Sequence, residues 1–121
     1  MVAAMKTVLV VDDALFMRHS IKLALEKNGF RVVGDAANGL EAADKYAELH
    51  PDLVTMDITM PDVDGIEGVK LIKRIDPEAK IIMISAMGYE SFVMDAIVAG
   101  AAGFLVKPFK EEKIVEVLKA I

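Results

Sequence analysis

The chain has 121 residues, with 14 Lys and Arg against 19 Asp and Glu (net charge −5), 55% hydrophobic residues and no cysteine or tryptophan. That length predicts one domain over residues 1–121, with a radius of gyration of roughly 14 Å and enough buried surface for a core without staples. Missing cysteine excludes disulfide scaffolds and cysteine nucleophiles, the acidic balance argues against a nucleic-acid-wrapping module, and no apolar run reaches the roughly 18 residues of a membrane span. With no signal-peptide pattern at the start, a soluble cytoplasmic domain is the expectation.

Thr7 to Val11 is a continuous β-branched run that stops at Asp12-Asp13, as expected of a central parallel strand covered on both faces. A helix is predicted over Ala14 to Asn28, where Met17, Ile21, Ala24 and Leu25 recur at helical spacing and Gly29 supplies a left-handed terminal residue. Arg31 to Ala36 reads as a second strand. The capping box Asn38-Gly-Leu-Glu41 then opens a helix that runs to about Leu49 and is ended by Pro51. Asp52 to Asp57 is the third strand, and Asp64-Gly-Ile-Glu67 is a second capping box opening a helix that carries Val69, Ile72 and Ile75. Ile81 to Ser85 is the fourth strand, Tyr89 to Ala99 a helix closed by Gly100, Phe104 to Val106 a short fifth strand, and Glu111 to Ile121 the last helix. Five βα units with short connections predict an α/β fold: a parallel sheet with helices on both faces, whose ligands sit beyond the carboxyl ends of the strands.

Those ends carry the chemistry. Strand one ends in Asp12 and Asp13, strand three in Asp57 and strand four in Ser85, while Lys107 follows strand five. Clustered carboxylates raise one another's pKa unless a cation compensates them. Hard oxygen donors with room for water suit Mg²⁺, and zinc is disfavoured because the softer ligands are missing. A carboxylate beside Mg²⁺ and a lysine can act as a nucleophile toward phosphorus, with the hydroxyl of Ser85 hydrogen-bonding the transferred group. Asp57 stands alone at its strand end and is the better nucleophile, whereas the adjacent Asp12 and Asp13 are better placed to hold metal.

Val10-Val-Asp-Asp13, Met56-Asp-Ile-Thr-Met-Pro61 with Asp64-Gly65, Ile84-Ser-Ala86 and Val106-Lys-Pro-Phe109 resemble the receiver domains of two-component response regulators, specifically the single-domain chemotaxis regulators. The resemblance covers nearly the whole chain. It implies a flavodoxin-like fold with strand order 2-1-3-4-5. It further implies Asp57 as phosphoacceptor; Asp12, Asp13, Asp57 and the Thr59 backbone carbonyl as Mg²⁺ ligands; Lys107 as a phosphoryl contact; Ser85 and Phe104 as a coupled switch pair; and a cis Lys107-Pro108 bond. The expected partners are a histidine kinase as donor, a phosphatase, and a protein target such as the flagellar motor switch. They are met by a monomer with no nucleic acid or membrane involved. A surface of Tyr89, Phe92, Met94, Val98, Phe104, Lys110, Lys113 and Val115, on helix four, strand five and helix five, is the expected docking face, since it carries more apolar residues than a solvated surface needs.

Three features depart from the family pattern. Phe104 stands where chemotaxis regulators often have Tyr; Thr59 and Met87 offer neither the amide nor the carboxylate that best orients an attacking water, so slow self-dephosphorylation is expected; and Ala3 to Met5 have no assigned role. His19 and His50 read as surface residues rather than phosphoryl carriers, and Met17, Met56 and Met83 as core fillers. Of the alternatives, an aspartyl-phosphate phosphohydrolase needs a general acid where Thr59 stands, a P-loop enzyme needs a motif the chain lacks, and a flavin carrier's phosphate would be repelled by Asp12-Asp13. Two remain: a receiver from a regulator outside chemotaxis or from a multi-domain regulator, and a binding module independent of phosphorylation.

Overall fold

The computed structural model describes residues 5–58, 64–86 and 90–121, of which 90–93 are described by backbone alone. Its elements alternate as β1 (Thr7–Val11), α1 (Leu15–Lys27), β2 (Arg31–Ala36), α2 (Gly39–Leu49), β3 (Leu53–Asp57), α3 (Gly65–Ile75), β4 (Ile81–Ala86), α4 (Glu90–Ala99), β5 (Gly103–Lys107) and α5 (Glu111–Lys119). The strands form one sheet of five in the order β2-β1-β3-β4-β5, every pairing parallel. Fold class and strand order are those expected from the sequence, and element ends differ by a residue or two. β5 gains Gly103 and Lys107, because its ladder with β4 runs from Ile82↔Gly103 to Ala86↔Lys107.

Strands β1, β3 and β4 lie in the middle of the sheet and are buried almost throughout, which is why they read as unbroken apolar runs rather than alternating ones. Alternation is still present in three dimensions. Leu9, Val11, Val54, Met56, Ile81 and Met83 pack on α2, α3 and α4, while Val8, Val10, Leu53, Ile82, Ile84 and Leu105 pack on α1 and α5. Met56 and Met83 are fully buried and Met17 is partly so, as core fillers should be.

The helix boundaries follow from named backbone groups. Asn38 and Asp64 each accept a hydrogen bond from the N–H three residues on, Glu41 and Glu67, at 2.9 Å. Gly29 (φ 89°) and Gly100 (φ 114°) take the left-handed conformation that ends α1 and α4, where a Cβ would be strained. The end of α2 comes one residue earlier than Pro51. His50 itself adopts φ 45°, its N–H bonded to the Tyr46 carbonyl at 2.9 Å. Ile75, read as part of the apolar stripe of α3, is 44% exposed because it is the last residue of the helix, beyond the turn that meets the core through Val69 and Ile72.

At the N-terminal edge of the sheet the buried Tyr46 hydroxyl donates to Asp76 Oδ2 at 2.7 Å, tying α2 to the end of α3, and Asp76 Oδ1 accepts from the Glu78 N–H at 2.9 Å. These two bonds, the tyrosine's first, hold the Asp76 carboxyl below the usual carboxylate range; burial and then the bond to Asp76 push the Tyr46 phenol up. A lowered acid pKa contributes stability that is present above the unfolded value of about 4 and lost as pH falls through the folded one. A raised phenol contributes stability that is present below about 10 and lost as pH climbs. Tyr46→Phe is therefore expected to lower the urea midpoint at pH 7, with the gap from wild type closing in strong acid; an equal gap at both pH values would contradict the linkage.

Candidate functional site

Strand alternation positions the charged groups. Asp12 continues the series Val8, Val10; Asp57 continues Leu53, Thr55; and Lys107 continues Leu105, so all three leave the sheet on the α1 and α5 side at its carboxyl edge. The β1–β3 ladder ends at Val11↔Met56, so the next residues along it are Asp12 and Asp57. Central strands thus deliver two acids side by side, and β5, separated from β1 by β3 and β4, delivers the cation that answers them.

Asp12 is 1% exposed and Asp57 5%, while Asp13 is exposed. Lys107 Nζ lies 3.0 Å from Asp12 Oδ2 and 3.4 Å from Asp57 Oδ2. Burial pulls the lysine pKa down, but the bond to Asp12 and the charges of Asp57 and Asp12 outweigh it, so the ammonium is held above its ordinary value. Asp12 Oδ1 accepts from the Ala14 N–H at 2.9 Å, at the start of α1. The Lys107–Pro108 bond is cis, as the resemblance implied.

One carboxylate oxygen from each of Asp12, Asp13 and Asp57 lies within 4.8 Å of the others. One lysine against three carboxylates leaves a local negative excess, and the donor set is entirely oxygen. These residues could hold a hard cation. Among the described residues, Ser85 Oγ is buried without a hydrogen-bond partner, which leaves a hydroxyl at the end of β4 able to bond a group arriving at this edge. The other such hydroxyl, Thr55 Oγ1, lies two residues before Asp57 in β3, inside the core.

The structure therefore brings together Asp12, Asp13, Asp57 and Lys107, with Ser85 on the adjoining strand. Thr59, Met87 and Tyr89 lie outside the described residues, as does the side chain of Phe92. On the expected docking face Met94 is 63%, Val98 84% and Phe104 46% exposed, and Lys110 and Lys113 are exposed as well. Val115 is a correction. It is 8% exposed and packed in the α1/α5 core, because the inner face of α5 takes the adjacent pair Ile114 and Val115 together with Leu118. His19 and His50 are exposed, as expected of surface residues. Sequence reasoning missed Arg18, whose guanidinium donates to Asp35 Oδ2 at 2.9 Å and to the Asp12 carbonyl at 2.8 Å; an arginine within an amphipathic helix reads only as solvated surface.

Residues 8–119 match the family described as response regulator receiver domain. The chain is 59% identical over 111 residues to the chemotaxis protein CheY of Bacillus subtilis (strain 168), covering 92% of each chain, and 54% identical over 116 residues to CheY of Thermotoga maritima, covering 96% of this chain and 97% of that one. Among solved structures, the CheX-CheY-BeF₃-Mg²⁺ complex from Borrelia burgdorferi superposes with a TM-score of 0.90 at 38% identity, over 95% of this chain and 87% of that one. The response regulator domain of Thermotoga maritima CheB superposes at 0.86 and 37% identity, over 97% and 96%.

Proposed function

The chain belongs to the response regulator receiver family and is of the CheY type, and on that footing we propose that it is a chemotaxis signalling switch in which a histidine kinase transfers a phosphoryl group to Asp57. The observation that carries this reading is the convergence of three carboxylates and Lys107 at the sheet's carboxyl edge, the edge at which β4 also carries the unpaired Ser85 hydroxyl. An Asp57 carboxylate oxygen attacks phosphorus, the bond from phosphorus to the donor nitrogen breaks, and its electron pair leaves with the imidazole. Lys107 neutralises the phosphoryl oxygens and the Ser85 hydroxyl donates to one of them. Asp12, Asp13, Asp57 and the Thr59 main-chain carbonyl are the proposed Mg²⁺ ligands. The bound ion would offset the carboxylate charge and draw electron density from the phosphoryl oxygens.

Ser85 filling its hydroxyl's empty hydrogen-bond capacity and Phe104 turning in behind it are the proposed link to the face formed by α4, β5 and α5. Met94, Val98 and Phe104 expose apolar area there, flanked by Lys110 and Lys113, which suits a protein target such as the flagellar motor switch. The Borrelia relative in complex with CheX, BeF₃ and Mg²⁺ supports a protein partner that engages while a phosphoryl-like group and the cation are in place. A phosphatase is part of the proposal, because Thr59 and Met87 lack the groups that would speed self-dephosphorylation. The proposed setting is a monomer of one domain in the cytoplasm.

The test is intact mass after incubation with acetyl phosphate. Wild type with Mg²⁺ is expected to gain one phosphoryl group, and neither Asp57→Asn nor wild type with excess chelator is expected to do so. An adduct that persists in Asp57→Asn would place the acceptor elsewhere.

A further inference from the structure

Successive side chains of an extended strand point to opposite faces, yet the carboxylates of the adjacent Asp12 and Asp13 converge with Asp57 on one site. The chain must therefore turn at the Asp12–Asp13 peptide, and the orientation of that peptide decides where Asp13 points. Arg18 holds this plane. Its Nη1 donates to the Asp12 carbonyl oxygen at 2.8 Å, while its Nε is anchored on Asp35 Oδ2 at 2.9 Å, at the end of β2. The Arg18 side chain is half-buried, with 16% of it exposed, although its partner Asp35 is 56% exposed. Asp12 is thus fixed at each of its groups: the N–H on the Ala36 carbonyl (3.0 Å), Oδ1 on the Ala14 N–H, Oδ2 on Lys107, and the carbonyl on Arg18. Asp13 is exposed and is aimed chiefly by the backbone it hangs from.

We propose that Arg18 is a positioning residue for the cation site: by clamping the Asp12 carbonyl against Asp35 it fixes the Asp12–Asp13 peptide and so preorganises the Asp13 carboxylate for a divalent ion. The proposal rests on the reading of Asp12, Asp13 and Asp57 as Mg²⁺ ligands. Two physical effects of removing Arg18 have opposite signs. Deleting a positive charge beside an acidic cluster tightens cation binding. Deleting the clamp loosens it, and outer groups that orient metal ligands are commonly worth about 10- to 100-fold in affinity.

The experiment is calorimetric titration of MgCl₂ into the metal-free chain, with the folded fraction of each variant fixed by a urea curve. Arg18→Met is expected to bind Mg²⁺ about tenfold more weakly. Arg18→Lys, which keeps the charge but loses the two-pronged contact, is expected to fall between Arg18→Met and wild type. Lys27→Met removes a cation from the far end of α1, where Lys27 makes only a 3.8 Å surface pair with Glu111, and is expected to leave affinity unchanged. In acetyl phosphate reactions the Mg²⁺ concentration giving half-maximal rate should rise in Arg18→Met, with the rate at saturating Mg²⁺ close to wild type. Unchanged or tighter binding in Arg18→Met, with wild type binding normally, overturns the positioning role and leaves the metal reading standing. No Mg²⁺ binding by wild type overturns both.

Discussion

Gly65→Ala is expected to lose about 2–3 kcal/mol of stability, a cost typical of forcing a methyl into a packed site. Gly65 is the first residue of α3, and its N–H donates to the Ile58 carbonyl at 2.9 Å, so the helix starts directly against the backbone that leaves β3. A Cβ there would collide with the Asp57 carbonyl oxygen, and would stand 2.8 Å from the Asp57 carbonyl carbon and 2.9 Å from Ile58 Cα. These are main-chain atoms, so no side chain can swing aside. Helix propensity alone predicts the opposite sign, since alanine is favoured over glycine by about 1 kcal/mol inside a helix. A lower urea midpoint supports the close approach; a midpoint at or above wild type means that α3 does not sit against Asp57 as described. Because the backbone displaced is that of Asp57 itself, phosphoryl uptake should fall in the same variant.

Lys107→Met is expected to slow phosphoryl uptake from acetyl phosphate roughly a hundredfold at saturating Mg²⁺, the effect typical of losing one preorganised donor to a developing anion. Methionine retains the length and apolar stem of the lysine, so the change isolates the ammonium. That ammonium lies 3.0 Å from Asp12 and 3.4 Å from Asp57 and is held above its ordinary pKa. It therefore stays protonated through the ordinary lysine range near pH 10, and wild-type uptake should show no fall from lysine deprotonation below that pH. A rate within twofold of wild type would mean that Lys107 only balances the resting carboxylates. With a quarter of its side chain in solvent, the loss of folding stability should be modest.

The strands were legible because burial on both faces writes unbroken runs such as Val8 to Val11 and Ile81 to Ile84 into the chain. Helix ends were legible wherever a single residue performs the capping, as Asn38, Asp64, Gly29 and Gly100 do. The acids at the strand ends could be read because a parallel sheet brings every carboxyl end to one edge. What could not be read depends on contacts between distant residues. Lys107 and Asp12 are 95 positions apart, and their pairing emerges only from the strand order. Arg18 reads as solvated helix until β2 places Asp35 beside it. Helical spacing around Val115 admits either face, and only packing of α5 on α1 turns that side chain inward. Leu15 and Phe16, at the start of α1, lie off the stripe of Met17, Ile21, Ala24 and Leu25 and are 69% and 77% exposed.

The central claim is that occupation of the acidic site by a phosphoryl group changes the face formed by α4, β5 and α5. Its most direct test is amide NMR of the ¹⁵N-labelled chain with beryllofluoride, a stable stand-in for the phosphoryl group, with and without Mg²⁺, on wild type and Asp57→Asn. The expected result is a set of shifts at Ser85, Phe104, Met94 and Val98 that requires both additions and is missing in Asp57→Asn. Shifts confined to the residues around Asp12, Asp13 and Asp57, with α4 and β5 unmoved, would contradict the switch.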